Sequence, residues 1–380
     1  MGISHKRKRR IAVIGGGITG TFAAFFLARL GAQVILIERG EIGGQASGSN
    51  TGGLNPLIGA GIPGALQDFA LESMRLHRES WEDIERLSGS PLATGVVSRL
   101  YVAIDGPDAV ALETARELHK ATPGYSARWL EPAELRRSQP LVTHEAAGAL
   151  LTEGNVRVDP KPYVAAVAAA AVKMGARVER GSARGLNCAG GIVTEVMLES
   201  ASVPCEGVVI APGPWCEAPS TWLGTALPVE PVKGELVLVD VDGQRPDGDV
   251  TWGTVGMYTS AAGAFWLGGT EDRVGYDATP TAEGRARIIA GISRLMPGLG
   301  RLRTIRHVAG LRPITPNDLP IVGVPDGWDN VCIAVGGGRK GMLLGAGLGF
   351  AAAELLLRGK TSLSVDGYSP AGSRLHQQAT

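Results

Sequence analysis

Apolar residues in the first forty positions form two short runs separated by one long run. Ile11–Ile14 is a short apolar segment that ends in glycines, which is typical of a strand buried in a parallel sheet. Residues 18–30 are apolar on most sides of a helix, and residues 32–38 form a second strand-like run. The pattern predicts a strand, a helix and a parallel strand within about 30 residues.

Helical spacing predicts two longer helices further along the chain. Between Leu66 and Leu87, apolar residues recur every three or four positions and charged residues occupy the opposite face. Pro162 precedes an alanine-rich run at 163–175, and proline is well tolerated in a first turn, where its missing N–H has no helical partner. We therefore expect a helix over 66–87 and another that begins at Pro162.

Further apolar runs predict strands in two groups. Two runs that we expect to return to the first sheet are residues 175–181 and 207–215. A later strand-like run, at 330–338, leads into glycines and then a helix. The middle of the chain, about 90–145, mixes short strand and helix signals and includes a candidate strand at 98–104, and a second strand-rich block follows at 234–241 and 263–270. This order predicts an α/β fold in which a discontinuous Rossmann-like domain is interleaved with an α+β domain built on an antiparallel sheet.

Composition narrows the class of protein. A chain of 380 residues with 44% apolar residues is long enough for two domains with a large core. The 37 basic and 37 acidic residues balance, so no net field favours nucleic acid or an anionic membrane. Glycine is unusually frequent, at 55 residues, which suits a backbone that approaches a large ligand closely. The four cysteines form no CxxC pair, so a zinc site is not expected.

The location of the protein is predicted from two segments. The basic residues 6–10 lead directly into the first strand, where a signal peptide would need an apolar region and a cleavage site. Residues 342–357 are the most apolar stretch, but they are rich in glycine and include Glu354, so a buried helix is expected. We therefore predict a soluble, cytoplasmic protein without a membrane span.

A dinucleotide-binding motif follows the first strand. Gly15, Gly17 and Gly20 stand in a GxGxxG pattern, and Glu38 ends the second strand eighteen residues later. Gly15 permits the tight turn, Gly17 lets the backbone approach a pyrophosphate, and Gly20 lets helix and strand pack closely. The helix N-terminus presents free N–H groups to the phosphates, and Glu38 can accept hydrogen bonds from the ribose hydroxyls. The motif alone does not separate NAD from FAD.

A second glycine-rich stretch, GGQASGSNTGG at 43–53, has the composition of a flexible linker. It begins five residues after Glu38, where the chain would cross from the ribose towards the reactive ring of the cofactor. Small residues there let backbone N–H groups approach the cofactor, and Ser47, Ser49 and Thr51 offer hydroxyls to phosphate. We interpret the stretch as a cofactor-covering loop, which favours FAD.

Four segments together resemble the glycine oxidase and D-amino-acid oxidase branch of FAD-dependent oxidoreductases. They are IAVIGGGITG, GGQASGSNTGGL, GVVIAPGPW with LPVEPVKGELV, and GLRPITPNDLPIVG with NVCIAVGGGRKGM. They are spread over most of the chain, so the resemblance is more specific than the first motif alone. It implies that FAD binds noncovalently and lies extended across the parallel sheet.

The resemblance also implies which residues contact FAD. The pyrophosphate and adenosine end would be lined by the GxGxxG glycines with Ile18, Thr19, Glu38 and Arg39. Ala46, Ser47, Thr51, Gly52 and Gly53 would pass beside the pyrophosphate and the isoalloxazine. Arg184 matches a position whose backbone holds adenine, although the family usually has an apolar residue there. The flavin ring would be covered by Gly337, Gly338, Arg339, Lys340, Gly341, Met342 and Leu343.

Three further residues match the substrate side of this family. Arg312 matches the arginine that pairs with a substrate carboxylate, and a planar guanidinium can hold a carboxylate through two parallel hydrogen bonds. Arg339 matches a second residue on the substrate side in glycine oxidase. Tyr258 stands where the family often has a tyrosine whose hydroxyl reaches the same carboxylate, although the proline that commonly follows is missing.

Some positions depart from the family pattern. Gly337 replaces a histidine that is frequent in the last motif, which leaves open a wider space near the flavin or a different reaction with oxygen. Leu311 lies where the sarcosine oxidase relatives attach flavin to a cysteine, and Cys332 is expected to be packed rather than attached. None of the six histidines, including the terminal His5 and His376, is expected to be catalytic.

The implied reaction is oxidative deamination, in which hydride passes from Cα to flavin N5. The substrate would be a small amino acid or amine with a carboxylate, such as glycine, sarcosine or a D-amino acid. A neutral amine needs no protein base for this step, so positioning and desolvation would supply most of the catalysis. Oxygen or another electron acceptor would then reoxidise the flavin.

Several alternatives stay open on the sequence. One is a D-amino-acid or hydroxyproline-type dehydrogenase that passes electrons to an acceptor other than oxygen. Another is the flavoprotein subunit of a heteromeric amine or opine oxidoreductase. A relative that acts on a modified tRNA base is disfavoured because the chain has no basic patch. A homo-oligomer is compatible with the sequence.

The motifs also suggest domain boundaries. We assign residues 1–85, 146–225 and 306–380 to the FAD-binding domain. The substrate-binding domain would comprise residues 86–145 and 226–305.

Overall fold

The computed structural model describes residues 8–260 and 262–370, so His5 and His376 lie outside the described residues. In chain order, the strands are β1 (Arg10–Ile14), β2 (Gln33–Glu38), β3 (Gly53–Leu54), β4 (Gly95–Ala103), β5 (Ser126–Leu130), β6 (Gly148–Arg157), β7 (Arg177–Arg180), β8 (Ala183–Ala189), β9 (Ile192–Leu198), β10 (Ser202–Pro204), β11 (Val208–Ile210), β12 (Glu230–Val241), β13 (Asp249–Trp252), β14 (Val255–Thr259), β15 (Phe265–Gly268), β16 (Leu302–Ile314), β17 (Ile321–Gly323) and β18 (Val331–Val335). The helices are α1 (Ile18–Arg29), α2 (Gln67–Ser88), α3 (Gly106–Ala121), α4 (Pro132–Ser138), α5 (Pro160–Lys173), α6 (Glu217–Leu223), α7 (Ala282–Leu295) and α8 (Gly341–Arg358). A short 3₁₀ turn, Gly338–Lys340, precedes α8.

A six-stranded sheet contains the predicted dinucleotide-binding unit. Its strand order is β17-β18-β11-β1-β2-β7, and all neighbours are parallel except the edge pair β17–β18. The central strands β1, β11 and β18 are almost entirely buried, as continuous apolar strands must be when both faces of a sheet are covered. Helices α1, α5 and α8 pack together on one face. The predicted strands at 175–181 and 207–215 both join this sheet.

A second sheet of nine strands runs mostly antiparallel. Its order is β16-β12-β15-β14-β13-β4-β6-β3, with β5 added on β6, and only β13 and β4 pair in parallel. The long strands β12 and β16 pair along most of their length, and α7 packs beneath β12. Strands β6 and β16 belong to this sheet, although most of their residues fall in ranges assigned to the FAD-binding domain. The proposed domain boundaries stay a prediction.

Two local features differ from the sequence expectation. The alanine-rich helix begins at Pro160 rather than Pro162, because Asp159 is the N-cap and Pro160 occupies the first turn. Residues 183–204 form a small antiparallel sheet of β8, β9 and β10 that the apolar pattern did not indicate. Its strands expose many polar residues, so they carry little hydrophobic periodicity.

Helix α8 explains the most apolar segment of the chain. Residues Gly338–Arg358 are long and apolar enough to cross a membrane by length and composition, but 78% of the apolar window is buried inside the protein. Glu354 is buried because its carboxylate accepts hydrogen bonds from Ser362 N at 2.8 Å and from Thr361 Oγ1 at 3.1 Å, and it pairs with Arg358. The apolar composition of α8 is therefore accounted for by packing against α1 and α2.

Candidate active site

One large cavity, of about 730 Å³, lies at the carboxyl ends of β1, β2 and β11 and extends to the nine-stranded sheet. This is where open parallel sheets bind ligands, and the volume is within the usual range for ligand pockets. Of the predicted cofactor-binding residues, all line the cavity except Gly20, Gly52 and Leu343. The predicted substrate residues Tyr258, Arg312 and Arg339 line the same cavity. The fold therefore brings both predicted sets together.

The GxGxxG turn requires glycine for two geometric reasons. Gly15 has φ +108°, and a Cβ there would lie 2.2 Å from the carbonyl oxygen of Ala211. A Cβ at Gly20 would lie 1.8 Å from the carbonyl oxygen of Gly15, so Gly20 faces the turn rather than the cavity. The first helix can start directly under the strand only because neither position carries a side chain.

The N-terminus of α1 opens into the cavity. Its N-cap, Gly17, supplies no side-chain cap, and the Ser47 hydroxyl accepts a hydrogen bond from Ile18 N at 3.0 Å. That bond leaves the Ser47 hydroxyl proton available to a ligand. An N-terminus of this kind, with a positive dipole end and a hydroxyl beside it, fits a pyrophosphate.

Glu38 is oriented by the backbone at the end of β2. Its two carboxylate oxygens accept hydrogen bonds from Gly16 N and Gly40 N, each at 2.7 Å. Each oxygen keeps a further lone pair, so the carboxylate can also accept from two ribose hydroxyls. The glycine turn and the ribose acceptor are thus connected to each other directly.

The 43–53 stretch is an ordered loop that lines the cavity. The Asn50 amide donates to Ala46 O at 3.0 Å and to Ser47 O at 2.9 Å, and its oxygen accepts from Gly52 N at 2.7 Å. Sequence reasoning did not single out Asn50, although asparagine commonly bonds to nearby backbone in this way. The interpretation as a linker is excluded by this internal bonding.

Aromatic and cationic groups meet at the outer rim. The guanidinium of Arg39 lies 4.1 Å from the ring centroid of Trp215, and Trp215 stacks on Tyr276 with centroids 6.1 Å apart. Trp215 and Tyr276 were not predicted as site residues. Arg184, on β8, also lines the cavity, while its side chain pairs with Glu199 at the surface.

FAD fits the groups that the cavity presents. Glycines 15 and 17 leave the backbone open to a pyrophosphate, an uncapped helix N-terminus faces it, and a carboxylate stands ready for ribose. A cofactor bound there would be held without a covalent bond to Cys332, because that cysteine is buried on β18 and burial raises the pKa of its thiol to about 12. Leu311, on β16, is buried and carries no nucleophile.

Arg312 projects from β16 into the cavity. Its Nη1 donates to the carbonyl oxygen of Thr270 at 3.0 Å. The guanidinium lies directly over Gly234 on the neighbouring strand, where a Cβ would come within 2.0 Å of it. Burial lowers the pKa of Arg312, and the nearby Glu271 carboxylate opposes that shift. In the described ranges, no carboxylate lies within salt-bridge distance of this guanidinium.

Tyr258 lies on β14, where a buried ion pair supports it. Arg99 and Asp249 form this pair, with Nη2 and Oδ2 2.7 Å apart, and the Arg99 guanidinium lies 5.1 Å from the Tyr258 ring centroid. Burial raises the pKa of Tyr258, so its hydroxyl stays protonated and can donate a hydrogen bond. Arg99 and Asp249 were missed because they are far apart in sequence.

Arg339 is engaged with protein carboxylates. Its Nε and Nη2 each bond to Glu271 at 2.6 Å, and its Nη1 bonds to Asp318 at 2.6 Å. A substrate carboxylate would have to compete with these two groups. The structure therefore places Arg339 at the cavity but gives it a different immediate role from Arg312. Glu271 lines the cavity and was not predicted.

Lys340 is a partly buried lysine on the cavity wall. Its Nζ donates to the carbonyl oxygens of Asn55, at 3.0 Å, and of Ile58. Burial lowers the pKa of Lys340 to about 7, and the charge of Arg99 lowers it further. The sequence placed this residue among those covering the flavin but did not reveal that its side chain is partly buried.

Histidines do not line the cavity in the part of the chain that the structure describes. His77 lies behind it: its Nε2 contacts the carbonyl oxygens of Met342 and Leu343 at 3.0 Å, and its Nδ1 is 2.7 Å from the Tyr163 hydroxyl. With Nε2 as donor, this histidine stabilises the first turn of α8. His307 lies 2.8 Å from Glu235 on the opposite face of β12.

Comparison with known proteins gives concordant matches. The family model described as FAD dependent oxidoreductase (DAO) matches residues 10–355. The chain is 28% identical to a glycine oxidase from Bacillus licheniformis, over 91% of this chain and 92% of that protein. It is also 28% identical to hydrogen cyanide synthase subunit HcnC from Pseudomonas aeruginosa, over 88% of this chain and 89% of that protein.

A solved structure supports the same fold. Glycine oxidase from Geobacillus kaustophilus superimposes with a TM-score of 0.88 at 24% identity, covering 97% of this chain and 99% of that one. The predicted fold class and the predicted cofactor, FAD, are confirmed by these matches.

Proposed function

The chain belongs to the DAO family of FAD-dependent oxidoreductases, and on that premise we propose that it oxidises a small amino acid or amine that carries a carboxylate. Glycine, sarcosine and D-amino acids are the substrates to consider first. The 28% identity to a glycine oxidase over nearly the whole chain supports this class of substrate.

One observation carries the proposal. Arg312 is largely buried in the same cavity as the FAD loop and has no carboxylate partner among the described residues. A buried guanidinium without a counter-ion is costly, so the site is best completed by an anionic ligand. A substrate carboxylate matches the planar guanidinium in both charge and shape.

Two side chains would position the substrate through its carboxylate. Arg312 binds the carboxylate, and the protonated Tyr258 hydroxyl, in the same cavity, donates to it. FAD held by the glycine turn, Glu38 and the 43–53 loop would supply the acceptor for the Cα hydride, and the imine product would hydrolyse in water. The amine is expected to enter in its neutral form, because a neutral amine needs no protein base for hydride transfer. Orientation and exclusion of water would supply most of the rate enhancement.

Flavin bleaching tests the proposal directly. Purified holoenzyme is mixed anaerobically with glycine, sarcosine and both enantiomers of alanine, and the flavin absorbance is followed. We expect at least one carboxylate-bearing amine to bleach the flavin. If none does, the proposed function is wrong.

Two further properties belong to the same proposal. The similarity to a hydrogen cyanide synthase subunit favours a partner-dependent flavoprotein as the second candidate. Turnover by the purified single chain would exclude a need for a partner subunit. An oxidase would form peroxide with oxygen, whereas a dehydrogenase would reduce an added dye instead. The cytoplasmic location and a homo-oligomeric state stay predictions.

A further inference from the structure

Two partly buried cations in the cavity have no carboxylate partner within the described residues: Arg312 and Lys340. Two other buried cations are compensated by carboxylates. Arg99 pairs with Asp249 at 2.7 Å, and Lys233 lies 3.5 Å from Glu235. A buried charge is destabilising unless it is paired, so both exceptions point to anionic groups that come from outside the chain.

The Lys340 ammonium is fixed in place with one donor to spare. Two of its three N–H groups bond to the carbonyl oxygens of Asn55 and Ile58. These bonds hold the amine against the cavity wall formed by residues 53–60. The third N–H is free for a ligand in the cavity.

The Asn55 side chain is a second polar group without a partner at this place. Asn55 is only 4% exposed and lines the cavity, and its Oδ1 is buried with no hydrogen-bond partner in the described structure. Burying an amide without hydrogen bonds is costly. Lys340 and Asn55 thus form a corner of the cavity, which we call the Lys340 corner, whose hydrogen-bonding capacity is unused.

The position of the Lys340 corner indicates that it would contact the substrate rather than the pyrophosphate of the cofactor. A Cβ at Gly53 would lie 3.8 Å from the Asn55 amide nitrogen and 3.2 Å from an Arg99 guanidinium nitrogen. Arg99 in turn lies over the ring of Tyr258, which shares the cavity wall with Arg312. The pyrophosphate is instead matched by the glycine turn and the N-terminus of α1.

We propose that Lys340 binds a second acidic group of the substrate, so that the enzyme acts on an amino acid with two carboxylates. This inference rests on the function proposed above. Arg312 binds the carboxylate next to the reacting carbon, and Lys340 supplies the charge and a hydrogen bond for the second one, beside the Asn55 side chain. A monocarboxylic amine would leave the Lys340 corner unsatisfied.

Matched substrate pairs test the preference in the wild-type holoenzyme. Each pair differs in the second carboxylate: aspartate against asparagine, in both enantiomers, and iminodiacetate against sarcosine. We expect kcat/KM to be higher for the diacid by about tenfold or more, because a hydrogen bond to a charged group is worth that much when buried. Equal or lower values for every diacid would overturn the inference.

Variants at Lys340 and Asn55 test whether the preference for diacids arises at the Lys340 corner. Lys340→Met should lower kcat/KM for each diacid by about tenfold more than for its monoacid partner, so that the diacid advantage is lost, whereas Lys340→Arg should retain part of it. Asn55→Asp keeps the shape of the side chain but places a carboxylate in the corner, so it should also reject the diacids. Lys173→Met removes one exposed positive charge at the end of α5, outside the cavity, and should leave every ratio unchanged. If Lys340→Met weakens FAD binding and slows all substrates equally, Lys340 serves the cofactor and the inference is wrong.

A binding experiment separates this inference from the proposed reaction. Malonate and acetate are titrated into the holoenzyme, and binding is read from the perturbation of the flavin absorbance. We expect malonate to bind more tightly than acetate, and Lys340→Met to abolish the difference. If no amine bleaches the flavin but malonate still binds in this Lys340-dependent manner, the proposed reaction fails and the diacid site stands. If malonate and acetate bind alike, the diacid site fails whatever the reaction.

Discussion

The Arg339 guanidinium binds the carboxylate of Glu271 through two hydrogen bonds of 2.6 Å each. This pair connects the loop after β15 to the turn that precedes α8, and Glu271 lines the cavity close enough to Arg312 to act on its charge. One carboxylate therefore lowers the positive charge available from two arginines that the sequence assigned to substrate binding.

Removing this carboxylate should strengthen carboxylate binding. In Glu271→Gln, Arg339 keeps Asp318 as its one carboxylate partner among the described residues, and the field at Arg312 becomes more positive. We expect the KM for a carboxylate-bearing substrate, and the inhibition constant of acetate, to fall by about threefold to tenfold. Glu134→Gln, which breaks the exposed pair with Arg128 away from the cavity, is the matched control. A raised KM would mean that Glu271 acts mainly by positioning Arg339.

Loss of the Arg312 guanidinium should weaken substrate binding and spare the cofactor. Removing one partner of a buried charged contact costs about 2–5 kcal/mol, so the KM of Arg312→Ala should rise by about 100-fold. The flavin content and visible spectrum should stay as in the wild type. Steady-state kinetics are measured with a carboxylate-bearing amine and with a simple alkylamine. The alkylamine has no carboxylate for Arg312 to bind, so its kinetics should be unaffected by the variant. Unchanged kinetics would remove Arg312 from the substrate site.

Glu38 should contribute to FAD affinity through both the ribose and the glycine turn. Its carboxylate bonds to Gly16 N and Gly40 N, so Glu38→Ala loses the orientation of the turn as well as the ribose acceptor. We expect the Kd of Glu38→Ala for FAD to rise by about tenfold to 100-fold. The Kd of Glu38→Gln should lie between those of the wild type and Glu38→Ala. Titration of apoprotein followed by flavin fluorescence measures the Kd. Glu79→Ala, exposed on α2, is the control, and an equal loss there would refute a specific role.

The diacid preference should depend on pH. Burial lowers the pKa of Lys340 to about 7, so the amine is charged below this value and neutral above it. The kcat/KM ratio of a diacid to its monoacid partner should therefore fall as the pH rises through about 7. The ratio cancels the protonation of the substrate amine, which affects both compounds. Arg99 on β4 and His119 on α3 are the charged or titratable groups that interact with Lys340, and Arg99 stays charged throughout.

The ratio is measured between pH 6 and pH 9 in the wild type and in Lys340→Arg. The arginine stays charged over this range, so its ratio should be flat. A parallel decline in both proteins would show that another group titrates. His119→Gln tests whether that group is His119.

Stability should decrease in mild acid because of His77. Burial lowers the pKa of this histidine to about 4, whereas the unfolded chain binds the proton near the ordinary value of 6.5. The unfolded state therefore gains a proton first, and the free energy of unfolding falls as the pH drops from 6.5 towards 4, by about 3 kcal/mol in all. Above 6.5 the contribution is fully present.

Urea unfolding at pH 7.5, 6 and 5 tests this dependence in the wild type and in His77→Gln. The variant should lose the part of the pH dependence that comes from one proton. His119 also has a pKa lowered by burial and adds to the slope in the same direction, so it is kept in both proteins. Identical slopes in the two proteins would exclude His77 as the source.

The local sequence pattern by itself predicted the parallel strands, the glycine turn and the glycine-rich loop of the cofactor site. The apolar runs around Ile11 and residues 32–38 predicted parallel strands because a strand buried on both faces has few other compositions available. Gly15 and Gly20 were identifiable from the GxGxxG spacing. That spacing has a structural reason, because a carbonyl oxygen approaches each position too closely for any side chain. The 43–53 loop followed from the same requirement for small residues beside a cofactor.

Only the tertiary structure decided which charges remain free. Arg312 and Arg339 look equivalent as motif arginines, but Glu271 and Asp318 neutralise one of them and leave the other without a carboxylate. Arg99 and Asp249 are 150 positions apart, so no local spacing could reveal that they form a buried pair. Burial and pairing depend on which distant strands the fold brings together, and burial lowers the pKa of Lys340 to about 7, a property that no local sequence pattern indicates.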